Sequence, residues 1–255
     1  MPAKTHLFRC LSDNYGVLIH DPQSGATAAI DAPEAAPVEA ALKTTGWKLT
    51  DILVTHHHHD HTGGIEALKA RHQCRVVAPR AEAGKIPAVD ETVREGDQVS
   101  VGNLTANVIE TPGHTAGHIT YWFNGDKLAF AGDTLFSIGC GRVIEGTPEM
   151  MWASLLKLRE LPGDTRVYCG HEYTLANIRF AQSIEPDNSV LAARAQEAAA
   201  QVKAGRPTIP TTIDQEKAAN PFLRADVAAV AAAVGLSGKP AAQVFAEVRA
   251  RKNKF

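Results

Sequence analysis

Residues 56–61 read His-His-His-His-Asp-His and follow directly on the apolar run Ile52-Leu-Val-Thr55. Imidazoles and carboxylates are ligands for zinc, iron and related cations. In an extended chain, residues two apart face the same way, so His56 and His58 can point at one cation. Where the chain turns into a helix, Asp60 and His61 point elsewhere and can serve a second cation. His57 and His59 fall on the opposite phase and are expected to support or pack. The run is internal, unlike a purification tag.

One cluster cannot fill two coordination spheres. Three later residues offer the remainder, each at the end of a β-rich run and each after a glycine: His114 in Val108-Ile-Glu-Thr-Pro-Gly-His114, Asp133 in Leu128-Ala-Phe-Ala-Gly-Asp133, and His171 in Val167-Tyr-Cys-Gly-His171. Glycine lets the backbone turn sharply at a sheet rim, and a carboxylate such as Asp133 can bridge two cations. The repetition of strand, glycine and ligand carries the reading, since any one of the three alone would be an ordinary loop residue. A divalent pair of this kind suits hydrolysis, because a cation brings the pKa of water from ~16 to ~7.

The elements that must position these residues are legible in the pattern. Runs rich in β-branched residues predict strands at 15–20, 27–30, 52–55, 75–78, 104–110, 119–123, 127–131 and 166–169. Helical patterns lie at 35–45, 62–71 and 148–159. From about residue 173 strands are expected to stop. An Ala-rich helix is predicted over 189–204, with Ser189 as its cap and Gly205 as its stop, and a last helix over 240–251 with Pro240 in its first turn. The expected division is therefore 1–172 for a mixed α/β catalytic domain and 173–255 for a helical domain.

The chain has 255 residues, 44% of them hydrophobic, so a sizeable core is possible without disulfide support. A formal charge of -2 gives no global field for nucleic acid or acidic membrane. Four cysteines show no paired spacing, the N-terminus has no apolar signal region, and no apolar run is long enough to span a bilayer. These features point to a cytoplasmic protein without nucleic-acid or membrane partners, read as a monomer. Cations gather at the C-terminus, where Arg249 and Lys252 are three apart on one face of the last helix.

The spacing His56-x-His58-x-Asp60-His61 resembles the hallmark of the metallo-β-lactamase superfamily. Within it, the chain is similar to the glyoxalase II, or hydroxyacylglutathione hydrolase, family. The matching stretches are Leu11-Ser-Asp-Asn-Tyr15, 55–64, Thr111-Pro-Gly-His-Thr-Ala-Gly-His118, 131–136, Gly139-Cys-Gly-Arg142, Glu145-Gly-Thr147, Cys169-Gly-His-Glu-Tyr-Thr174, Asn220-Pro-Phe-Leu-Arg224 and the tail 249–255. They spread over nearly the whole chain. The resemblance implies a four-layer αββα sandwich followed by a C-terminal helical domain. It implies two divalent metal ions, usually zinc, with iron or manganese also found. His56, His58 and His114 would hold one ion, Asp60, His61 and His171 the other, and Asp133 with a hydroxide would bridge them. The implied reaction is hydrolysis of S-D-lactoylglutathione and related thioesters to glutathione and D-lactate, the second step of methylglyoxal detoxification.

A thiolate leaves readily, its thiol having a pKa of roughly 8.5, so no dedicated general acid is required and Asp60 reads as a ligand. By the same resemblance, Arg142, Tyr173, Arg249 and Lys252 bind the glutathione part. The chain departs from the family in having Ile144 two residues after the basic position, where some members carry an aromatic residue, and Asn253 where the tail usually has Asp. His118 lies outside the ligand set and reads as a support for it. Competing readings are a mono-iron persulfide dioxygenase, a β-lactamase, an RNA-processing nuclease and a flavodiiron-type redox protein. The cationic tail, the missing export signal, the neutral charge balance and the full ligand set argue against each in turn.

Overall fold

The computed structural model describes residues 1–255, and packing divides them into two compact units. The first comprises residues 1–110 and 116–132, the second residues 111–115 and 133–255. The packing division thus falls well before the change of composition near residue 172.

In the first unit, β1 (Lys4–Cys10), β2 (Asn14–His20), β3 (Thr27–Ile30), α1 (Ala35–Thr45), β4 (Asp51–Leu53), α2 (His59–Thr62), α3 (Ile65–His72), β5 (Arg75–Pro79) and β6 (Glu91–Val93) follow in order. The six strands form one sheet in sequence order. Pairing is antiparallel from β1 to β3 and parallel from β3 to β6. Val38, Ala41 and Leu42 of α1, with Ile65 and Leu68 of α3, pack onto Leu18, Ala29, Ile52, Val76 and Ala78 of the sheet. α1 stops at Gly46, which takes the left-handed conformation and donates to the Leu42 carbonyl.

The parallel register pairs Ala28 with Asp51 and Ile30 with Leu53, so β3 and β4 end together. Residues following those ends, Asp31 and Thr55-His56, are therefore neighbours. Parallel strands deliver their C-terminal ends to the same edge, which sets Asp31 beside the candidate donors that follow β4.

The unit continues with β7 (Gln98–Val101), β8 (Leu104–Glu110), β9 (Ile119–Phe123) and β10 (Leu128–Gly132), an antiparallel meander. Tyr121 of β9 is fully buried and donates its hydroxyl to the Val54 carbonyl, tying the meander to the end of β4.

The second unit contains β11 (Leu135–Phe136), β12 (Gly139–Cys140), α4 (Pro148–Arg159), β13 (Arg166–Cys169), α5 (Thr174–Ile184), α6 (Ser189–Lys203), β14 (Thr211–Thr212), α7 (Ile213–Ala219), α8 (Ala228–Ala233) and α9 (Ala241–Lys254). α4 starts where predicted because Thr147 caps it and Pro148 suits the first turn.

Several expectations need correction. The cap of α6 is Asn188, whose side chain accepts from the backbone of Val190 and Leu191, and Ser189 is the first helical residue. Pro240 precedes α9 as its cap residue. The helix read over 62–71 begins at Ile65, after the short turn of α2. Strands do not stop at residue 173, since β14 pairs antiparallel with β13. The strands β1, β6, β7, β11 and β12 lie outside the predicted runs; all but β1 have four residues or fewer, too short for an alternation to stand out.

Candidate metal centre

The first unit supplies four of the expected donors. His56 Nε2 and His58 Nδ1 are 3.2 Å apart. Two ligands on one tetrahedral zinc, each at ~2.05 Å, stand about 3.3 Å from one another. The pair therefore has the spacing of two ligands on a common cation. His61 Nε2 lies 3.7 Å from Asp60 Oδ2, so these two also converge. Within this unit the structure thus brings His56 to His58 and Asp60 to His61.

The imidazoles are oriented from behind. Asp31 accepts from the Thr55 amide at 2.7 Å, the Thr55 hydroxyl at 2.8 Å and His61 Nδ1 at 2.8 Å. Because the Thr55 proton goes to Asp31, its oxygen accepts from His56 Nδ1 at 3.0 Å. Both rings thus carry their proton on Nδ1 and present the Nε2 lone pair, the form that binds a metal. Asn14, from the Leu11–Tyr15 motif, donates to the Asp60 carbonyl and carboxylate at 3.0 and 3.2 Å.

His57 takes the opposite direction. Its amide and its Nδ1 both donate to buried Glu82, which also accepts from the Gly117 amide. It anchors the loop, as its phase suggested. His118 is buried and stacks on the His56 ring with centroids 4.8 Å apart.

The second unit supplies His114, Asp133 and His171. Asp133 Oδ2 lies 3.4 Å from His114 Nε2 and 3.3 Å from His171 Nε2. One carboxylate oxygen is thus at ligand–ligand spacing from two separate imidazoles, the arrangement a bridging carboxylate requires. His114 Nδ1 is 2.9 Å from the Arg142 carbonyl, which only accepts, so this ring too is protonated on Nδ1 and presents Nε2. The donor chemistry, imidazole nitrogens with carboxylates at these spacings, fits divalent cations. Of the glycines preceding the ligands, Gly113 and Gly132 have positive φ, 146° and 47°. Gly170 does not share this conformation, so the sharp-turn expectation applies to two of the three.

Four residues expected near the substrate lie in this unit. Tyr173 stacks face to face on His171, with centroids 4.8 Å apart and planes 3° from parallel, and is partly exposed. Arg142 is exposed. Lys252 donates to the Ala176 carbonyl in the first turn of α5, three residues beyond Tyr173, and faces the rings of Phe180 and Phe255. Arg249 is only 6% exposed, donates to the Cys140 carbonyl and lies over the Phe222 ring. Arg249 and Lys252 are therefore held against the fold, whereas Arg251 and Lys254 are exposed. Asn253 accepts from Arg249 Nε at 3.1 Å, so the departure from Asp keeps the acceptor and drops the charge. Ile144 is exposed.

Sequence reasoning missed Asp31, Thr55, Glu82 and the Arg142 carbonyl as supports for the ligands. Asp31 had a signal, since it ends an apolar strand as the ligands do. A main-chain carbonyl leaves none.

The comparisons agree with this geometry. The family model described as Metallo-beta-lactamase superfamily matches residues 13–171, and that described as Hydroxyacylglutathione hydrolase C-terminus matches residues 172–255. A hydroxyacylglutathione hydrolase of Rhodopseudomonas palustris (strain BisB5) is 64% identical over 253 residues, 99% of each chain. One of Nitrobacter winogradskyi is 60% identical over 254 residues, 100% of each chain. Among solved structures, ETHE1 from Myxococcus xanthus is similar with a TM-score of 0.71 and 28% identity, over 99% of this chain and 92% of that one. The fold is the metallo-β-lactamase fold with a C-terminal helical region, as expected. No helix is long and apolar enough to cross a membrane. Matched along its whole length, the chain belongs to the hydroxyacylglutathione hydrolase family of the metallo-β-lactamase superfamily.

Proposed function

We propose that this chain hydrolyses the thioester of S-D-lactoylglutathione and related 2-hydroxyacylglutathiones, releasing glutathione and D-lactate, and so completes the disposal of methylglyoxal. The observation that carries the reading is Asp133 Oδ2 standing between two imidazole nitrogens at 3.4 and 3.3 Å. Full-length identity of 60% and more to hydroxyacylglutathione hydrolases supports the substrate class.

In this reading His56, His58 and His114 would hold one divalent ion, Asp60, His61 and His171 would hold a second, and Asp133 would serve both. Zinc is the first choice, with iron or manganese as alternatives. When bound, such ions supply an acidified water near neutral pH and polarise a carbonyl oxygen. The protein's own part is to keep the rings in the Nδ1-protonated form through Asp31, Thr55 and the Arg142 carbonyl. No side chain is needed to protonate the departing thiolate.

Arg142, Tyr173, Arg249 and Lys252 are proposed to bind the glutathione part. Tyr173 on His171, and Lys252 on the same turn of α5, support this by bringing the tail's charge to the ligand-bearing segment. The domain division at 172/173 remains our functional division, with the helical part reading the thiol half. The reading also has the chain acting as a monomer in the cytoplasm, which size-exclusion chromatography of a cell extract tests.

The decisive assay follows the absorbance of S-D-lactoylglutathione beside oxygen uptake with glutathione persulfide, with metal analysis on the same sample. Thioester loss with about two ions per chain is expected. Oxygen uptake with one iron and no thioesterase activity would replace this reading by the dioxygenase one.

A further inference from the structure

Between Asp133 and Arg142 the chain forms the hairpin of β11 and β12, pairing Leu135 with Cys140 and Phe136 with Gly139. Its turn residue Ile138 has φ 56°, a left-handed conformation that a β-branched residue rarely adopts. Its side chain is fully buried in the helical core with Ile178, Leu191 and Ala219. Something must hold the backbone there.

Two buried polar residues of the helical region do so. Glu216, in the middle of α7, accepts from the Ile138 amide at 2.8 Å. Asn220, four residues on, donates to the Gly139 carbonyl at 3.0 Å and to Glu216 at 2.8 Å. Both residues have no solvent exposure. The remaining Glu216 oxygen accepts from the Thr211 hydroxyl, and Asn220 Oδ1 accepts from the Phe222 amide. An acidic side chain with no exposure is costly unless it has such partners, so its presence calls for a purpose.

The hairpin's ends give that purpose. Asp133 precedes it and Arg142, whose carbonyl fixes the His114 tautomer, follows it. Gly141 packs so tightly between them that a Cβ there would collide with the Asp133 carbonyl and stand 3.3 Å from His114 Nδ1. A shift of the hairpin therefore moves Asp133 and the Arg142 carbonyl together.

We propose that Glu216 and Asn220 are positioning residues for the metal centre: by clamping Ile138 and Gly139 they set Asp133 and the His114 tautomer, so the helical region completes the metal site as well as reading substrate. The proposal rests on the reading of Asp133 and His114 as metal ligands.

The test measures zinc affinity by chelator competition, with unfolding midpoints of the metal-free protein and the His114 tautomer read by ring nitrogen NMR. Asn220→Ala and Glu216→Ala are expected to lose at least tenfold in affinity for one ion, and to lose the Nδ1-protonated His114 signal of the wild type. Glu216→Gln, whose amide can keep all three contacts with a turned group, should stay within about threefold. Arg251→Ala, which releases the Ala233 and Val234 carbonyls but touches neither the hairpin nor α7, should lower the unfolding midpoint and keep the affinity. If either alanine variant does not fold, Glu216→Asp withdraws the carboxylate from Ile138 and is read in its place. Wild-type affinity and tautomer in folded Asn220→Ala or Glu216→Asp overturn the clamp. His114→Ala separates the two readings: if it also keeps both ions, the ligand assignment itself has failed.

Discussion

Arg249 Nη1 donates a 2.8 Å hydrogen bond to the Cys140 carbonyl, joining the last helix to the hairpin 109 residues earlier. The guanidinium also lies 5.0 Å from the centre of the Phe222 ring. A residue expected to bind substrate thus also anchors the fold. Arg249→Ala should destabilise the metal-free protein by about 2–4 kcal/mol, because a charged bond and buried packing are lost together. A solvated tail cation would cost under about 1 kcal/mol. Urea unfolding distinguishes them, and an unchanged midpoint refutes the anchor.

Lys252 gives a pH prediction. Burial, then the charges of Arg249 and Arg179, push its ammonium down to about 8. Below that pH the group is charged and, in the proposed substrate role, would attract a carboxylate; above it the charge is gone. kcat/KM should therefore fall as pH rises through about 8, with kcat less affected. In Lys252→Met this alkaline limb should vanish and KM should rise. A limb that persists in the variant belongs to another group.

Glu216 acts on stability. Burial pushes its carboxyl up to about 6, against the lowering effect of its hydrogen bonds. Between about 4.5 and 6 the folded chain holds a proton that the unfolded chain has released. The stabilisation is complete below that window and lost as pH rises through it, by on the order of 2 kcal/mol. Glu216→Gln should flatten the dependence of the unfolding midpoint on pH over this range. The same slope in the variant would assign it elsewhere.

Asp31 supports the rings of His61, directly, and His56, through Thr55, both proposed as ligands, without being assigned as one itself. Asp31→Asn weakens its hold on His61 Nδ1 and on Thr55. A loss of 10–100-fold in metal affinity is expected, as for other residues that orient histidine ligands. Metal retained after dialysis against a graded chelator measures it, and retention equal to wild type counts against the role.

Gly141→Ala tests the packing of the centre. The added Cβ meets the Asp133 carbonyl, so turnover and metal content should fall together by tenfold or more, while α9 and the remote sheet stay folded by circular dichroism. An active variant with full metal would show that Asp133 has room to move.

The sequence by itself determined the donor chemistry and its phase. His56 and His58 converge because the two-residue period of extended chain is a local property, and Asp60 and His61 are chain neighbours. The strands 27–30, 104–110, 119–123 and 166–169 fall where their β-branched runs placed them. Tertiary structure alone decided what holds those donors still. Asp31 meets His61 across 30 positions, Glu82 meets His57 across 25, and Glu216 meets Ile138 across 78. These bonds depend on parallel register and on helices packing against a hairpin, so no local spacing encodes them. The same holds for Arg249. Its helical phase with Lys252 was legible, but its burial against Cys140 and Phe222 arises only when α9 docks, because a cation is drawn inside only where a distant carbonyl and an aromatic face await it.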